Sequence, residues 1–232
     1  MPSLTSRDTC CILVPIGSHI EPDCERSLVE LELRGYAVRR VRAAGAIDHD
    51  RSKMATDALR EGFRELLWID SDIGFDPDEV ERLRAHPYPI VCGIYPKKGT
   101  RALACHVLPS TTQIMFGAEG GVIEIKYAAT GFLLTRAQVY EDIKTHHRLP
   151  LCNSQFGSPV VPYFLPLIAD EGQGPWYLAE DYAFCHRARA AGHAIMADTR
   201  VRLWHIGRCA YGWEDAGSDR PRFARYQFDV IP

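Results

Sequence analysis

Two pairs of carboxylates in this chain stand where acidic side chains do chemistry. Asp70 and Asp72, one residue apart, close the apolar run Leu66-Leu67-Trp68-Ile69 and precede Ile73-Gly74-Phe75. Carboxylates at the end of a buried strand repel each other and are costly to desolvate unless a cation joins them. Mn2+ or Mg2+ suits that place, because hard cations take carboxylate oxygens together with the phosphate oxygens of a substrate. The competing reading is a solvated acidic turn that ends the strand. The bare D-x-D tripeptide does not separate the two, and its apolar flanks favour a site. Glu180 and Asp181 form the second pair, inside Leu178-Ala179-Glu180-Asp181-Tyr182-Ala183-Phe184-Cys185. They fall in the first turn of a helix, where the macrodipole favours negative charge. Complementing that dipole is itself a sufficient use for them.

The elements that must position these residues alternate in the first half of the chain. Residues 10–15 form a compact apolar strand ending at a Pro-Ile-Gly-Ser turn. A helix over 21–34 stops at Gly35, and a strand follows at 36–41. A helix over 51–65 carries Met54, Ala55, Ala58, Leu59, Phe63 and Leu66 at helical spacing. The acidic strand 66–69 comes next. Asp76-Pro77-Asp78-Glu79 then starts a helix: Asp76 as cap, Pro77 in the first turn and Glu79 returning a capping-box bond. That helix ends near His86, and 88–95 supplies another strand. The order predicts an α/β fold: a mixed, mainly parallel twisted sheet flanked by helices, with the acids at its carboxyl edge, where such sheets bind ligands.

The second half reads differently. Segments 112–116 and 122–128 flank Glu119-Gly120-Gly121 and suggest a β-hairpin. An apolar stretch opens on Gly131, a helix covers 136–143, and Pro- and Gly-rich residues 145–176 read as a long loop. A helix over 179–191 and a strand at 194–197 lead to Trp204-His205-Ile206-Gly207.

Leu67-Trp68-Ile69-Asp70-Ser71-Asp72 resembles the donor motif of GT-A fold (Rossmann-like) glycosyltransferases, of the family 2-like or Anp-type mannosyltransferase-like groups. The resemblance implies that Asp72 binds the metal and Asp70 contacts the donor, a nucleoside diphosphate sugar such as a UDP- or GDP-sugar. The Glu180-Asp181 string resembles the acid-acid-helix motif of the same enzymes. There the Asp is the general base in inverting members, so Asp181 takes that role here and Glu180 supports it. Related motifs also occur in retaining groups, so both outcomes stay open at this point. His205, followed by Gly207, matches the late metal-binding His and would join Asp72 at the metal. A lone surface or core histidine is the bland alternative.

Smaller signals extend the likeness. Pro15 and Gly17 close the first strand, where the nucleotide base is held. Arg51 and Lys53, at the start of the helix before the acidic strand, can reach the nucleotide or diphosphate; solvated helix-end charges explain them equally well. Gly131 resembles the Gly-led acceptor-side segment, and Trp176 can stack on a sugar ring, with ordinary packing as the competitor for both.

The resemblance runs from about residue 10 to 207. It implies a single GT-A domain over 1–232: a donor half (10–110), an acceptor and catalytic half (111–210) and a C-terminal tail (211–232). The 232 residues, 46% hydrophobic and 25% charged, suit one sizeable core. A formal charge of −3 argues against a nucleic-acid-coating protein. Eight cysteines without a C-x-x-C pair, several inside apolar runs, read as buried free thiols in a reducing compartment. With no signal-peptide or membrane-span pattern, a cytoplasmic protein is expected.

Rival functions are a sugar-phosphate nucleotidyltransferase and a non-catalytic nucleotide- or carbohydrate-binding module. Pro15-Ile16-Gly17-Ser18-His19 lacks the glycine density and the basic residue of a nucleotidyltransferase phosphate loop. The acceptor is open among a glycan, a protein, a small molecule and a modified base in DNA. The last is carried because Lys97, Lys98 and Arg101, and again Arg220, Arg222 and Arg225, form basic patches that attract a phosphate backbone. Solvated surface is the plainer reading of both.

Overall fold

The computed structural model describes residues 7–42, 45–170, 172, 174–207, 209–216 and 225–230. Arg220 and Arg222 lie outside the described residues, and of Arg225 only the backbone is described. In chain order the first elements are β1 (Cys10–Ile16), α1 (Pro22–Leu33), β2 (Ala37–Arg42), α2 (Ile47–Arg60), β3 (Glu65–Ile69), β4 (Ile73–Phe75), α3 (Asp78–Arg84) and β5 (Ile90–Cys92). Then follow β6 (Cys105–Val107), β7 (Gln113–Gly117), β8 (Val122–Ala128), β9 (Phe132–Arg136), α4 (Ala137–His147), β10 (Leu167–Asp170) and β11 (Pro175–Leu178). The chain continues through α5 (Glu180–Ala190), β12 (Ile195–Asp198), β13 (Leu203–Ile206), β14 (Ala210–Tyr211) and β15 (Arg225–Asp229).

The main sheet is mixed, in the order β2-β1-β3-β9-β5-β12-β8-β6. β1 pairs in parallel with both β2 and β3. β9 runs antiparallel between β3 and β5, and β12 lies parallel to β5. Strand alternation splits the core in two. Cys11, Leu13, Leu66 and Trp68 pack with residues of α2, α4 and α5, whereas Cys10, Ile12, Val14, Leu67 and Ile69 pack with α1 and α3. Because both faces are covered, these strands read as unbroken apolar runs. Five of the eight free cysteines, Cys10, Cys11, Cys24, Cys92 and Cys185, are buried, and Cys209 is exposed. No helix among the described residues is long and apolar enough to cross a membrane.

Several local expectations are corrected. β7 and β8 do not form a hairpin: β7 pairs with β15, and β8 pairs with β12 and β6. The helix expected over 51–65 is α2, which begins at Ile47 and ends at Arg60. Gly62, at φ +94°, stops it, leaving Phe63 and Leu66 beyond its end. Asp76 does cap α3, accepting from the Asp78 N–H at 2.9 Å. Glu79 makes no capping box and pairs instead with Arg82 at 2.8 Å. Segment 145–176 is not one loop. It begins inside α4 and ends with the antiparallel pair β10–β11. Between them it is tied to α2, where the buried Thr56 and Ser52 hydroxyls accept the Val161 and Phe164 N–H groups at 3.0 and 3.1 Å.

Candidate active site

The acids of the β3 run lie where the chain leaves the sheet. Asp70 is held by the neighbouring strand's approach, because its N–H donates to the Gly131 carbonyl at 3.0 Å, extending the β3–β9 ladder by one rung. The chain then turns into β4, which pairs with β13 so that His205 stands opposite Ile73. The Ile206 N–H donates to the Asp72 carbonyl at 2.8 Å. This small sheet, β14-β13-β4, carries a histidine from the far end of the chain to the acidic turn.

A cavity of about 400 Å³ opens against these residues, a size suited to a small-molecule ligand. Pro15, Gly17, Arg51, Asp70 and Asp72 all line it. Lys53 does not; its ammonium pairs with Asp57 one turn along α2. Glu180, Asp181, Gly131, Trp176 and His205 also lie outside the lining.

Arg51 joins the two acidic motifs. It is buried, its Nη2 donates to Asp70 Oδ1 at 2.7 Å, and its Nε lies 3.6 Å from Glu180 Oε1. Burial by itself would lower its pKa; Asp70, then Glu180, outweigh that and keep the guanidinium charged. Among the described residues its Nε and Nη1 have no hydrogen-bond partner. Both atoms are buried, so a ligand in the cavity that Arg51 lines meets the guanidinium elsewhere on its surface.

Asp181 follows Glu180 into α5 and accepts the Tyr182 N–H at 2.7 Å. Burial pushes its carboxyl up to about 6, with the Glu180 charge adding to the rise. The Tyr182 N–H and Arg51 oppose the shift without cancelling it. A carboxylate with that pKa is charged at neutral pH and basic enough to take a proton. Beside it, the buried Tyr95 hydroxyl accepts the Gly131 N–H at 2.9 Å. A β-carbon on Gly131 would lie 2.2 Å from that oxygen and 3.0 Å from Asp70 Oδ2, which explains the glycine.

At Asp72, burial would raise the carboxyl, but hydrogen bonding and charge from His205 and Lys98 hold it at about 2. Lys98 Nζ donates to Asp72 Oδ2, and His205 Nε2 lies 3.7 Å from Oδ1. His205 Nδ1 is 2.8 Å from the Pro96 carbonyl, which only accepts, so Nδ1 carries a proton. Loss of the Nε2 proton, the one that bonds Asp72 in the metal-free protein, would leave a lone pair there facing the carboxylate. Two acceptors facing each other, with the histidine oriented from behind by a carbonyl, form a donor pair that suits a divalent cation. Among the described residues no group of three or more His, Cys, Asp or Glu side chains is assembled for a metal. The remaining ligands would be substrate phosphate oxygens and water.

No family model matches the chain, and neither does any curated protein. Among solved structures, A197 from STIV matches with a TM-score of 0.58 at 16% identity, over 92% of this chain and 97% of that one. The likeness is one of fold. GalNAc-T7 with UDP, GalNAc and Mn2+ matches at a TM-score of 0.47 and 10% identity, over 86% of this chain and 44% of that one. The inositol-1-phosphate CTP transferase from T. maritima matches at 0.45 and 9%, over 92% and 93%.

Trp176, on β11, stands apart from the cavity in an aromatic cluster. His106 lies 5.4 Å from its ring and 5.0 Å from that of Tyr182, and the Lys126 ammonium sits 5.5 Å from the Trp176 ring centre. Sequence reasoning did not find Tyr95, nor Lys98's bond to Asp72. Tyr95 carried no signal beyond membership of an apolar strand. Lys98 was visible as part of a basic patch, which reads as solvated surface until the fold brings it to the acid.

Proposed function

We propose that the chain is a metal-dependent glycosyltransferase moving a sugar from a nucleoside diphosphate sugar to an acceptor hydroxyl, with inversion. The observation that carries this reading is Arg51. One buried guanidinium ties the Asp70 end of the β3 run to the Glu180 start of α5, beside a cavity at the carboxyl edge of parallel strands. That edge is where open α/β sheets bind nucleotides.

In this reading Asp72 and His205 would hold Mn2+ or Mg2+. Held there, the ion would offset charge developing on the diphosphate leaving group. Asp70 and Arg51 face the donor, and Pro15 and Gly17 border the space for its base. Asp181 takes the proton of the acceptor hydroxyl as the new sugar–oxygen bond forms and the bond from sugar to phosphate oxygen breaks. Glu180 keeps Arg51 in place and, as a neighbouring charge, strengthens Asp181 as a base.

The test is a thermal-shift screen of UDP- and GDP-sugars with and without Mn2+, followed by donor hydrolysis. Metal-dependent stabilisation by one donor is expected. Hydrolysis by the wild type but not by Asp72→Ala or Asp181→Ala would complete the case. Equal behaviour of all three would sink the catalytic assignment. Pyrophosphate release from a nucleoside triphosphate and a sugar phosphate would replace it with nucleotidyl transfer.

A further inference from the structure

The hairpin between β5 and β6 serves Asp72 in two ways. It is closed by the Pro96–Leu103 bridge and by the Lys97 N–H donating to the Ala102 carbonyl at 2.8 Å. Its first residue, Pro96, supplies the carbonyl that orients His205. Two residues on, Lys98 places its ammonium on Asp72 Oδ2. The lysine stem runs over Gly207, where a β-carbon would lie 3.2 Å from Lys98 Cδ. One short hairpin therefore sets the imidazole for a cation and also puts a cation of its own on the same carboxylate.

We propose that Lys98 is a tethered counter-cation of Asp72, which a divalent ion must outcompete to enter the site. The inference rests on Asp72 and His205 being metal ligands and extends that reading to the state before the metal arrives. With its ammonium on one carboxylate oxygen, Lys98 neutralises Asp72 and repels a second cation approaching the other oxygen. The arrangement removes the cost of leaving Asp72 unpaired while the donor is absent. Lys98 also lines the cavity and its side chain is 35% exposed, so the ammonium has room to leave the carboxylate while staying on the cavity wall. There it faces the space that the donor diphosphate would enter, and a phosphate oxygen can replace the carboxylate as its partner.

The test is Mn2+ alone, titrated into the full chain and read by the electron paramagnetic resonance signal of free aqueous Mn2+. Lys98→Met should bind Mn2+ at least about tenfold more tightly than the wild type, the ratio that corresponds to roughly 1.4 kcal/mol. Lys98→Arg, which keeps the charge, should stay near the wild-type affinity. Adding Asp72→Asn to Lys98→Met should abolish the gain. Unchanged or weaker binding by Lys98→Met overturns the counter-cation while leaving the metal site standing. Failure of both wild type and Lys98→Met to bind Mn2+, with unaltered circular dichroism, removes the metal reading and this inference together.

Discussion

Arg51 Nη2 lies 2.7 Å from Asp70 Oδ1, and this bond couples a helix facing the cavity to the end of the β3 run. The same guanidinium reaches Glu180 at 3.6 Å. One carboxylate from each of the two motifs that the sequence shows as separate, Asp70 and Glu180, therefore shares a single cation.

Removing that cation should cost stability as well as function. Arg51→Met leaves Asp70 and Glu180 facing each other in a partly buried site without their shared partner. Breaking a buried pair from one side typically costs about 3–5 kcal/mol. Urea unfolding is expected to show a loss in that range, and Lys53→Met, which removes a pairing with Asp57 on the same helix, should change stability by about 0.5 kcal/mol or less.

Asp181 sets a pH dependence with a defined sign. Its native pKa of about 6 lies above the ordinary 3.8, so between these values the native state holds more proton than the unfolded state. Stability from this group is therefore lost as pH rises through that window, and the full penalty stands above about 6. Asp181→Asn should melt at a higher temperature than the wild type at pH 7.5, and the difference should close toward pH 4. Transfer activity should do the opposite, rising with pH through about 6 in the wild type as the base ionises.

Asp72 should behave in the contrary sense. Its carboxyl is held at about 2 against an ordinary 3.8, so its stabilising contribution is present above 3.8 and is lost as pH falls toward 2. Asp72→Asn should lower the melting temperature at pH 7, with the deficit shrinking in acid. Donor turnover should fall by about a hundredfold or more, since metal stabilisation of a leaving group is worth several kcal/mol.

Gly131→Ala tests the inner wall. The added carbon meets the Tyr95 hydroxyl oxygen at 2.2 Å, and that hydroxyl is held by the Gly131 N–H, so little room exists for adjustment. Overpacking of this kind costs about 1–3 kcal/mol. Thermal denaturation should show that loss, and donor affinity should drop with it, because Asp70 Oδ2 lies 3.0 Å from the same added carbon.

What the sequence reveals here follows from which interactions are local. The buried strands β1 and β3 are legible because both of their faces are covered, and the start of α5 is legible from its own acids. Arg51 and Lys53 look alike in sequence. They diverge because α2 begins at Ile47 and two residues turn a helix by about 200°, sending one side chain inward and the other outward. The pairing of β7 with β15 joins segments a hundred residues apart, and the apparent hairpin partner β8 lies only a few residues away. Local turn signals at Gly120 and Gly121 cannot reveal so distant a competitor. The Lys98–Asp72 bond likewise depends on a hairpin placed by tertiary structure.

The extra rung from the Asp70 N–H to the Gly131 carbonyl also determines how the site moves. It continues the ladder between β3 and β9, whose residues apart from Arg136 are buried. The backbone at Asp70 can therefore open only when that ladder opens, which ties its amide to the cooperative unfolding of the sheet. In deuterated water the Asp70 amide should exchange on the timescale of global unfolding. The Asp70 backbone is thus preorganised before any ligand arrives, and binding there need not spend free energy on ordering it.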